Sequence, residues 1–111
     1  MRISDQLSYM ANLCLISWNV RGLNSKVKRS VMFHYQARHK SHVILLQETH
    51  LQGSRVMALK RAKIVYSLHS TYSTYARGTS ILIAKSAPIS IKHIKLDPNG
   101  CFMILVLELL G

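Results

Sequence analysis

The sequence predicts an α/β (α+β) fold in which one or two helices pack on a mixed sheet. Apolar runs of strand length recur along the 111-residue chain, helical periodicity is confined mainly to one stretch, and turn residues separate the runs. The hydrophobic fraction of 49% supports a packed core and excludes a disordered chain. We therefore expect one domain over residues 12–111, preceded by an irregular segment over residues 1–11, where no period is visible.

The first two elements are a strand and an amphipathic helix. The run LCLISWNV at residues 13–20 is rich in strand-forming residues and is followed by Gly22, which suits a turn with positive φ. Asn24 or Ser25 then offers a side-chain oxygen as an N-cap. Apolar residues recur every four positions along the helix, at Val27, Val31 and Tyr35. Basic residues follow, and the helix is predicted to end near His39.

The second strand lies in the stretch HVILLQETH, residues 42–50. Its apolar residues are continuous, which is typical of a strand buried on both faces. The strand then ends in polar residues that include Glu48. A strand, a helix and a second strand form a right-handed unit with parallel strands, so we expect Asn19 and Glu48 at the same rim of the sheet. The alternative is a turn asparagine and a solvated glutamate.

The rest of the chain reads as further strands with one more short helix. The turn DPNG at residues 97–100 has a clear mechanism, because proline presets φ while asparagine and glycine accept the remaining dihedrals. The expected elements are a helix at 55–61 and strands at 64–68, 80–84, 89–92 and 102–109. The long apolar final strand has nothing after it to cover it, so we expect the first part of a larger domain.

The charge balance points to a polyanionic partner. Fifteen Lys and Arg face four Asp and Glu, giving a net charge of +11 and a pI of about 10.2. Nucleic acid is the first candidate partner and an anionic membrane surface the second. The longest apolar run, 102–110, is too short to span a bilayer, and no secretory signal is visible, so no membrane partner is expected. Cys14 and Cys101 are interpreted as buried thiols of an intracellular protein.

Asn19 and Glu48 form the candidate catalytic pair. A carboxylate supported by an amide suits a Mg²⁺ site, because Mg²⁺ prefers oxygen ligands and a neutral group can orient water or substrate oxygens. The gap between the two residues matches one strand–helix–strand unit.

Two segments together resemble a known family. SWNVRGLNS followed by ILLQETHL resembles the start of the endonuclease/exonuclease/phosphatase superfamily, most closely the endonuclease domain of LINE-type retrotransposons. That domain is itself similar to apurinic endonucleases and exodeoxyribonuclease III. ARGTSILIAK resembles the third signature of the family, and DPNGCFMILVLEL the strand after it. The resemblance covers residues 13–109.

The resemblance implies a four-layer αββα sandwich, of which this chain is the N-terminal part, and Mg²⁺-dependent hydrolysis of a phosphodiester in DNA. Glu48 would ligate Mg²⁺, with Mn²⁺ as an alternative ion, and Asn19 would help to arrange metal, water and phosphate. No other cofactor is implied. The family's later motifs supply a tyrosine, an Asp–Asn pair, a further aspartate and a histidine, and none of these can be matched here. We therefore expect a truncated copy with little or no nuclease activity alone.

Three further residues are predicted to contact nucleic acid. Arg77 lies in the loop before the predicted strand 80–84, which is near the DNA-binding face in the family that the chain resembles, and it is the first choice for a phosphate contact. Tyr75 in the same loop can stack on a base, and Lys26 on the helix can reach backbone phosphate. An ordinary polar loop and a solvated helix face are the alternatives. Trp18 is expected in the core, since it points away from Asn19 in a strand.

Two other interpretations stay open. The chain can be a non-catalytic, basic nucleic-acid-binding fragment of a retroelement that keeps the charge without the chemistry. It can also be a relic reading frame of marginal stability. A nuclear location follows only from the charge and from the implied substrate.

Overall fold

The computed structural model describes the backbone of residues 5–10 and the full residues 13–110. Seven strands, one α-helix and one 3-10 helix follow one another in these ranges: β1 Asp5–Met10, β2 Leu13–Asn19, α1 Lys26–His39, β3 Val43–Gln47, the 3-10 helix Gly53–Leu59, β4 Ile64–Ser70, β5 Thr79–Ala84, β6 Ile89–Leu96 and β7 Met103–Leu109. The predicted mixed α and β fold is confirmed.

The main sheet is mixed and has the order β1-β2-β3-β5-β4. Strands β2 and β3 are parallel, as predicted for strands that flank a helix, and Asn19 is in register with Gln47. The other pairs are antiparallel, and β5 lies between β3 and β4. The two parallel strands therefore end at one edge of the sheet, which we call the Glu48 rim.

Helix α1 is fixed at both ends by local hydrogen bonds. Ser25 is the N-cap, and its side chain accepts from the backbone N–H of Lys28 at 3.4 Å. Lys40 is the C-cap in the left-handed region, with φ +52, and its N–H donates to the Ala37 carbonyl at 3.2 Å. The predicted N-cap and the predicted end near His39 are both confirmed.

The main sheet separates two hydrophobic cores. The helical side carries alternate residues of β2 and β3, including Ile16, Trp18, Ile44 and Leu46, packed with Met32 of α1. The intervening residues, such as Leu13 and Val43, belong to the second core on the opposite face. This alternation follows from the two-residue period of a strand. Trp18 is fully buried, as predicted.

A two-stranded sheet of β6 and β7 covers the second face. Its partly buried residues pack against the second core, to which β5 contributes Ile81 and Ile83: Ile89, Ile91, Met103 and Leu105. The described residues therefore form a helical layer, the main sheet and a second sheet, in that order. The remaining residues of β7 alternate outward, so that Ile104 and Val106 are about half exposed.

Four features differ from the sequence-based expectation. The predicted apolar stripe of α1 is not its buried face, because Val27 and Val31 are exposed and Met32 is the buried residue of the helix. The segment 1–11 was expected to be irregular, whereas Asp5–Met10 pairs along β2 as β1; residues 1–4 and 11 lie outside the described part. The short helix begins at Gly53 and is a 3-10 helix. Cys101 is exposed, while Cys14 is buried as expected, because Cys101 follows the turn and precedes β7. Neither described helix has the length and apolar content needed to cross a membrane.

Candidate functional site

The Glu48 rim is built by two loops that continue the strand pairing beyond β2 and β3. The N–H of Val20 donates to the Gln47 carbonyl at 3.0 Å, and the N–H of Gly22 donates to the Glu48 carbonyl at 2.7 Å. On the other side, the N–H of Thr49 donates to the Gly78 carbonyl at 3.0 Å. The backbone around Glu48 is thus held from both sides. The predicted placement of Asn19 and Glu48 at one rim is what the strand pairing produces.

Unusual backbone conformations concentrate at this rim. Among the described residues, five non-glycine residues have positive φ, and four of them are at the rim. These are Arg21 at +49°, Glu48 at +53°, His50 at +55° and Arg77 at +61°. Each such residue costs about 1–3 kcal/mol unless its surroundings hold it, and such strain clusters at functional sites. The flanking hydrogen bonds are what hold Glu48 and His50 here.

The Glu48 carboxylate is exposed and unpaired among the described residues. The salt bridge formed within that part of the chain joins Lys92 Nζ to Glu108 Oε2 at 3.1 Å, far along the sequence from the rim. No hydrogen bond to the Glu48 side chain is formed within residues 13–110. A carboxylate fixed by a strained backbone and left without a partner is available to a cation.

A row of polar side chains crosses the sheet beside Glu48. Asn19, Gln47, Thr79 and Ser70 are in register on β2, β3, β5 and β4. Asn19 Oδ1 and Thr79 Oγ1 are buried and have no hydrogen-bond partner among the described residues. Buried polar atoms normally form hydrogen bonds, so these two oxygens are expected to interact with a ligand, an ion or water.

This donor set fits part of a Mg²⁺ site. The Glu48 carboxylate and the unpaired Asn19 amide oxygen are hard oxygen donors, and Mg²⁺ commonly binds through one or two carboxylates with water and phosphate filling the other positions. Within the described residues no group of three or more His, Cys, Asp or Glu could hold a metal ion. The rim therefore supplies two donors at most from the residues predicted to hold the ion.

The loop before β5 lies against the rim. The His50 N–H donates to the Arg77 carbonyl at 2.9 Å, and the Arg77 guanidinium stacks 4.3 Å above the ring of Tyr72. Tyr75 is 89% exposed, with its N–H donating to Ser73 Oγ at 3.2 Å. A shallow cavity of about 280 Å³ opens here, and Glu48 and Arg77 both line it. Arg77 is thus placed beside Glu48, with Tyr75 presented to solvent.

Lys26 is exposed at the first position of α1, and its side chain makes no hydrogen bond or salt bridge among the described residues. Its neighbours Lys28 and Arg29 are tied down instead: Lys28 Nζ donates to the Arg21 carbonyl at 3.1 Å, and Arg29 donates to the Leu23 carbonyl at 2.9 Å. Lys26 therefore remains available for a phosphate, while the other two brace the loop after β2.

Asn24 is a rim residue whose role the sequence analysis missed. Its Nδ2 donates to the His50 carbonyl at 2.8 Å and to the Thr74 carbonyl at 3.4 Å, and its Oδ1 accepts from Arg55 at 3.2 Å. One side chain thus joins the loop after β2, the loop after β3 and the loop before β5. The sequence offered Asn24 only as an N-cap, because a bridge between three loops has no local pattern.

His69 is a half-buried ionisable group outside the rim. Its Nδ1 lies 2.7 Å from Ser80 Oγ. Burial lowers the pKa of His69 below its ordinary value of 6.5, because desolvation disfavours the charged imidazolium. Ser80 is in register with Leu46 of the helical-side core, so this pair lies on the other face from Asn19 and Thr79.

The comparisons with known proteins add no family to this geometry: no protein-family model matches the sequence, and no curated protein sequence matches it.

Proposed function

We propose that this chain is part of a Mg²⁺-dependent, DNA-hydrolysing domain of the endonuclease/exonuclease/phosphatase type found in LINE-type retrotransposons. One observation carries the proposal: an unpaired carboxylate on strained backbone lies at the same rim as a buried, unpaired amide oxygen. Two parallel strands bring Glu48 and Asn19 there, as the sequence motifs imply.

Each rim residue has a role in this proposal. Glu48 ligates the metal ion, with Mn²⁺ as a second possible ion, and Asn19 orients a phosphate oxygen or water through its amide. Arg77 binds a phosphate of the DNA beside Glu48, Tyr75 stacks on a base, and Lys26 contacts the backbone further along. Bound Mg²⁺ supplies charge neutralisation at the phosphate. A DNA substrate implies a nuclear location and requires no small-molecule cofactor.

The described residues alone supply too few catalytic groups for fast hydrolysis. Among residues 13–110, no group of three or more His, Cys, Asp or Glu could hold a metal ion, and no histidine is paired with the Glu48 carboxylate. A positioned general base contributes about 10²–10⁴-fold and an electrostatic stabiliser about 10²–10³-fold. We therefore propose that this chain by itself is an inactive or nearly inactive copy.

Purified chain is expected to give no Mg²⁺-dependent nicking of supercoiled plasmid above background. The comparison is with Glu48→Ala, which removes the proposed ligand, in matched buffers containing Mg²⁺ or Mn²⁺. Gel electrophoresis of the relaxed and supercoiled forms gives the readout. Robust nicking that Glu48→Ala abolishes would show an active enzyme and overturn the proposed inactivity.

Metal binding at the rim is tested separately, through DNA affinity. For each protein we take the ratio of its DNA affinity in Mg²⁺ to its DNA affinity in EDTA, and we call this the Mg²⁺ ratio. The Mg²⁺ ratio should be about fivefold higher for the wild type than for Glu48→Gln, because bound metal and bound phosphate stabilise each other. In EDTA, Glu48→Gln should bind DNA more tightly than the wild type, because a negative charge beside phosphate is gone. Fluorescence anisotropy with a labelled duplex at constant ionic strength measures both quantities.

Glu108→Gln is the matched control for that measurement. It removes one carboxylate from β7, where Glu108 pairs with Lys92 away from the rim. Its Mg²⁺ ratio should equal that of the wild type. Equal ratios for all three proteins would instead mean that Glu48 holds no metal.

A non-catalytic, basic DNA-binding fragment is the second candidate function. The net charge of +11 favours it, as does the lack of any three-residue metal group among the described residues. In that case DNA affinity falls steeply as the salt concentration rises, because only contacts with phosphate contribute to binding. Neither Mg²⁺ at constant ionic strength nor Glu48→Gln should then change the DNA affinity through a bound metal ion.

A further inference from the structure

A second cavity lies at the end of the main sheet opposite to the Glu48 rim. It has a volume of about 320 Å³ and lies where α1 ends, where β3 and β4 begin and where β5 ends. Three lysines line the cavity: Lys40, Lys63 and Lys85. Ser41 and Ser86 also line it, and none of the lining residues is acidic. We call this the lysine cavity.

The backbone positions of all three lysines are fixed. The Lys85 N–H donates to the Lys63 carbonyl at 2.8 Å, which joins the segment after β5 to the segment before β4. Lys40 is held as the C-cap of α1, and the next residue, Ser41, donates its N–H to the Gln36 carbonyl at 3.1 Å. Three separate segments therefore present a lysine to one concave site.

The positive charge of the lysine cavity is not neutralised by the described residues. None of the three ammonium groups makes a hydrogen bond or a salt bridge within residues 13–110. Lys40 alone has another explanation, because a cation at a helix C-terminus is favoured by the helix dipole. Lys63 and Lys85 lie on other segments, where no helix end accounts for them.

We propose that the lysine cavity binds a phosphate group carrying two or more negative charges. Lysine is a common phosphate ligand, and three of them around one cavity raise the local concentration of a multivalent anion. The cavity volume of about 320 Å³ is at the lower end of the range for small-ligand sites, so the cavity has room for a phosphate group together with part of the molecule that carries it. The source is either a nucleic acid or a small phosphorylated compound. This proposal does not rest on the proposed function, since the site is at the other end of the sheet.

Pyrophosphate in EDTA buffer is the probe, because without a metal ion the Glu48 carboxylate repels pyrophosphate at the rim. We expect calorimetric titration to show saturable binding to the wild type. The double variant Lys63→Gln/Lys85→Gln should bind pyrophosphate at least about tenfold more weakly. The control Lys60→Gln/Lys95→Gln removes the same charge outside the cavity and should bind like the wild type. All four substituted lysines are exposed, and circular dichroism confirms that each variant is folded.

The proposal would be overturned if the wild type showed no saturable binding of pyrophosphate. It would also be overturned if both double variants lost pyrophosphate affinity to the same extent. The single variants Lys63→Gln and Lys85→Gln should each show part of the loss. Two oligonucleotides of one sequence, with and without a 5′-phosphate, then identify the source. If the Lys63→Gln/Lys85→Gln variant loses affinity only for the phosphorylated oligonucleotide, the ligand is a terminal phosphate. If it loses affinity equally for both oligonucleotides, the ligands are backbone phosphates. If its affinity for both is unchanged, the ligand is a small phosphorylated compound.

Discussion

Trp18→Ala is expected to lower the free energy of unfolding by about 3–5 kcal/mol. Trp18 is 0% exposed, is in register with Leu46 and meets the Tyr35 ring edge-on at a centroid distance of 5.3 Å. Truncation therefore removes the contact between the centre of the main sheet and α1 and leaves a cavity that the sheet cannot close. A loss of this size is a large part of the total stability of a small domain. Urea titration followed by circular dichroism measures it.

Trp18→Phe is the matched variant and should cost much less, about 1 kcal/mol. Phenylalanine keeps most of the ring volume, and it also removes the Trp18 Nε1–H, which is buried without a hydrogen-bond partner among the described residues. Similar losses for the two variants would mean that ring volume is not what stabilises this core. Absence of a cooperative transition in the wild type itself would favour the marginal, relic interpretation of the chain.

The unit from β2 to β3 was predictable because each of its elements has a local signal. Continuous apolar residues mark β3, Ser25 marks the start of α1, and the right-handed crossover rule makes the two strands parallel. The four-residue repeat did not identify the buried face of α1, because Val27 and Val31 are exposed. Strand β1 has no such signal, because it forms by pairing its backbone along β2. Edge strands of this kind depend on the partner strand more than on their own pattern.

The candidate site was predictable only where it depends on neighbouring elements in sequence. Asn19 and Glu48 lie at the same rim because β2 and β3 are consecutive parallel strands, which the sequence implies. Thr79 joins the polar row only because β5 inserts between β3 and β4, and strand order of that kind has no local pattern. The lysine cavity has the same origin, since it gathers residues from three segments. The positive φ of Glu48 depends likewise on two hydrogen bonds between loops, from the Gly22 N–H to the Glu48 carbonyl and from the Thr49 N–H to the Gly78 carbonyl.

Gly78→Ala is expected to destabilise the protein by about 2–4 kcal/mol and to disturb the Glu48 rim. Gly78 has φ +98°, and a Cβ there would lie 2.5 Å from Thr49 Oγ1, so the substitution combines backbone strain with a steric clash. Thr49 is fully buried and directly follows Glu48, so a shift of the Thr49 backbone would displace the Glu48 carboxylate. Urea unfolding monitored by fluorescence of the single tryptophan measures the stability. The Mg²⁺-dependent difference in DNA affinity should be lost in the same variant.

Two matched substitutions separate the strain from the clash. Gly53 has φ +58°, and no atom lies within 4 Å of a Cβ added there. Gly53→Ala therefore introduces backbone strain without a clash and should lower the free energy of unfolding by about 1 kcal/mol. Thr49→Ala removes the clashing oxygen, so Gly78→Ala should cost about 1–2 kcal/mol less in that background, measured as a double-mutant cycle. If Gly78→Ala costs no more than Gly53→Ala, or if Thr49→Ala gives no relief, the close contact between Gly78 and Thr49 is not what shapes the rim. If Thr49→Ala restores both the stability and the Mg²⁺ ratio of Gly78→Ala, the contact between Gly78 and Thr49 determines the position of Glu48.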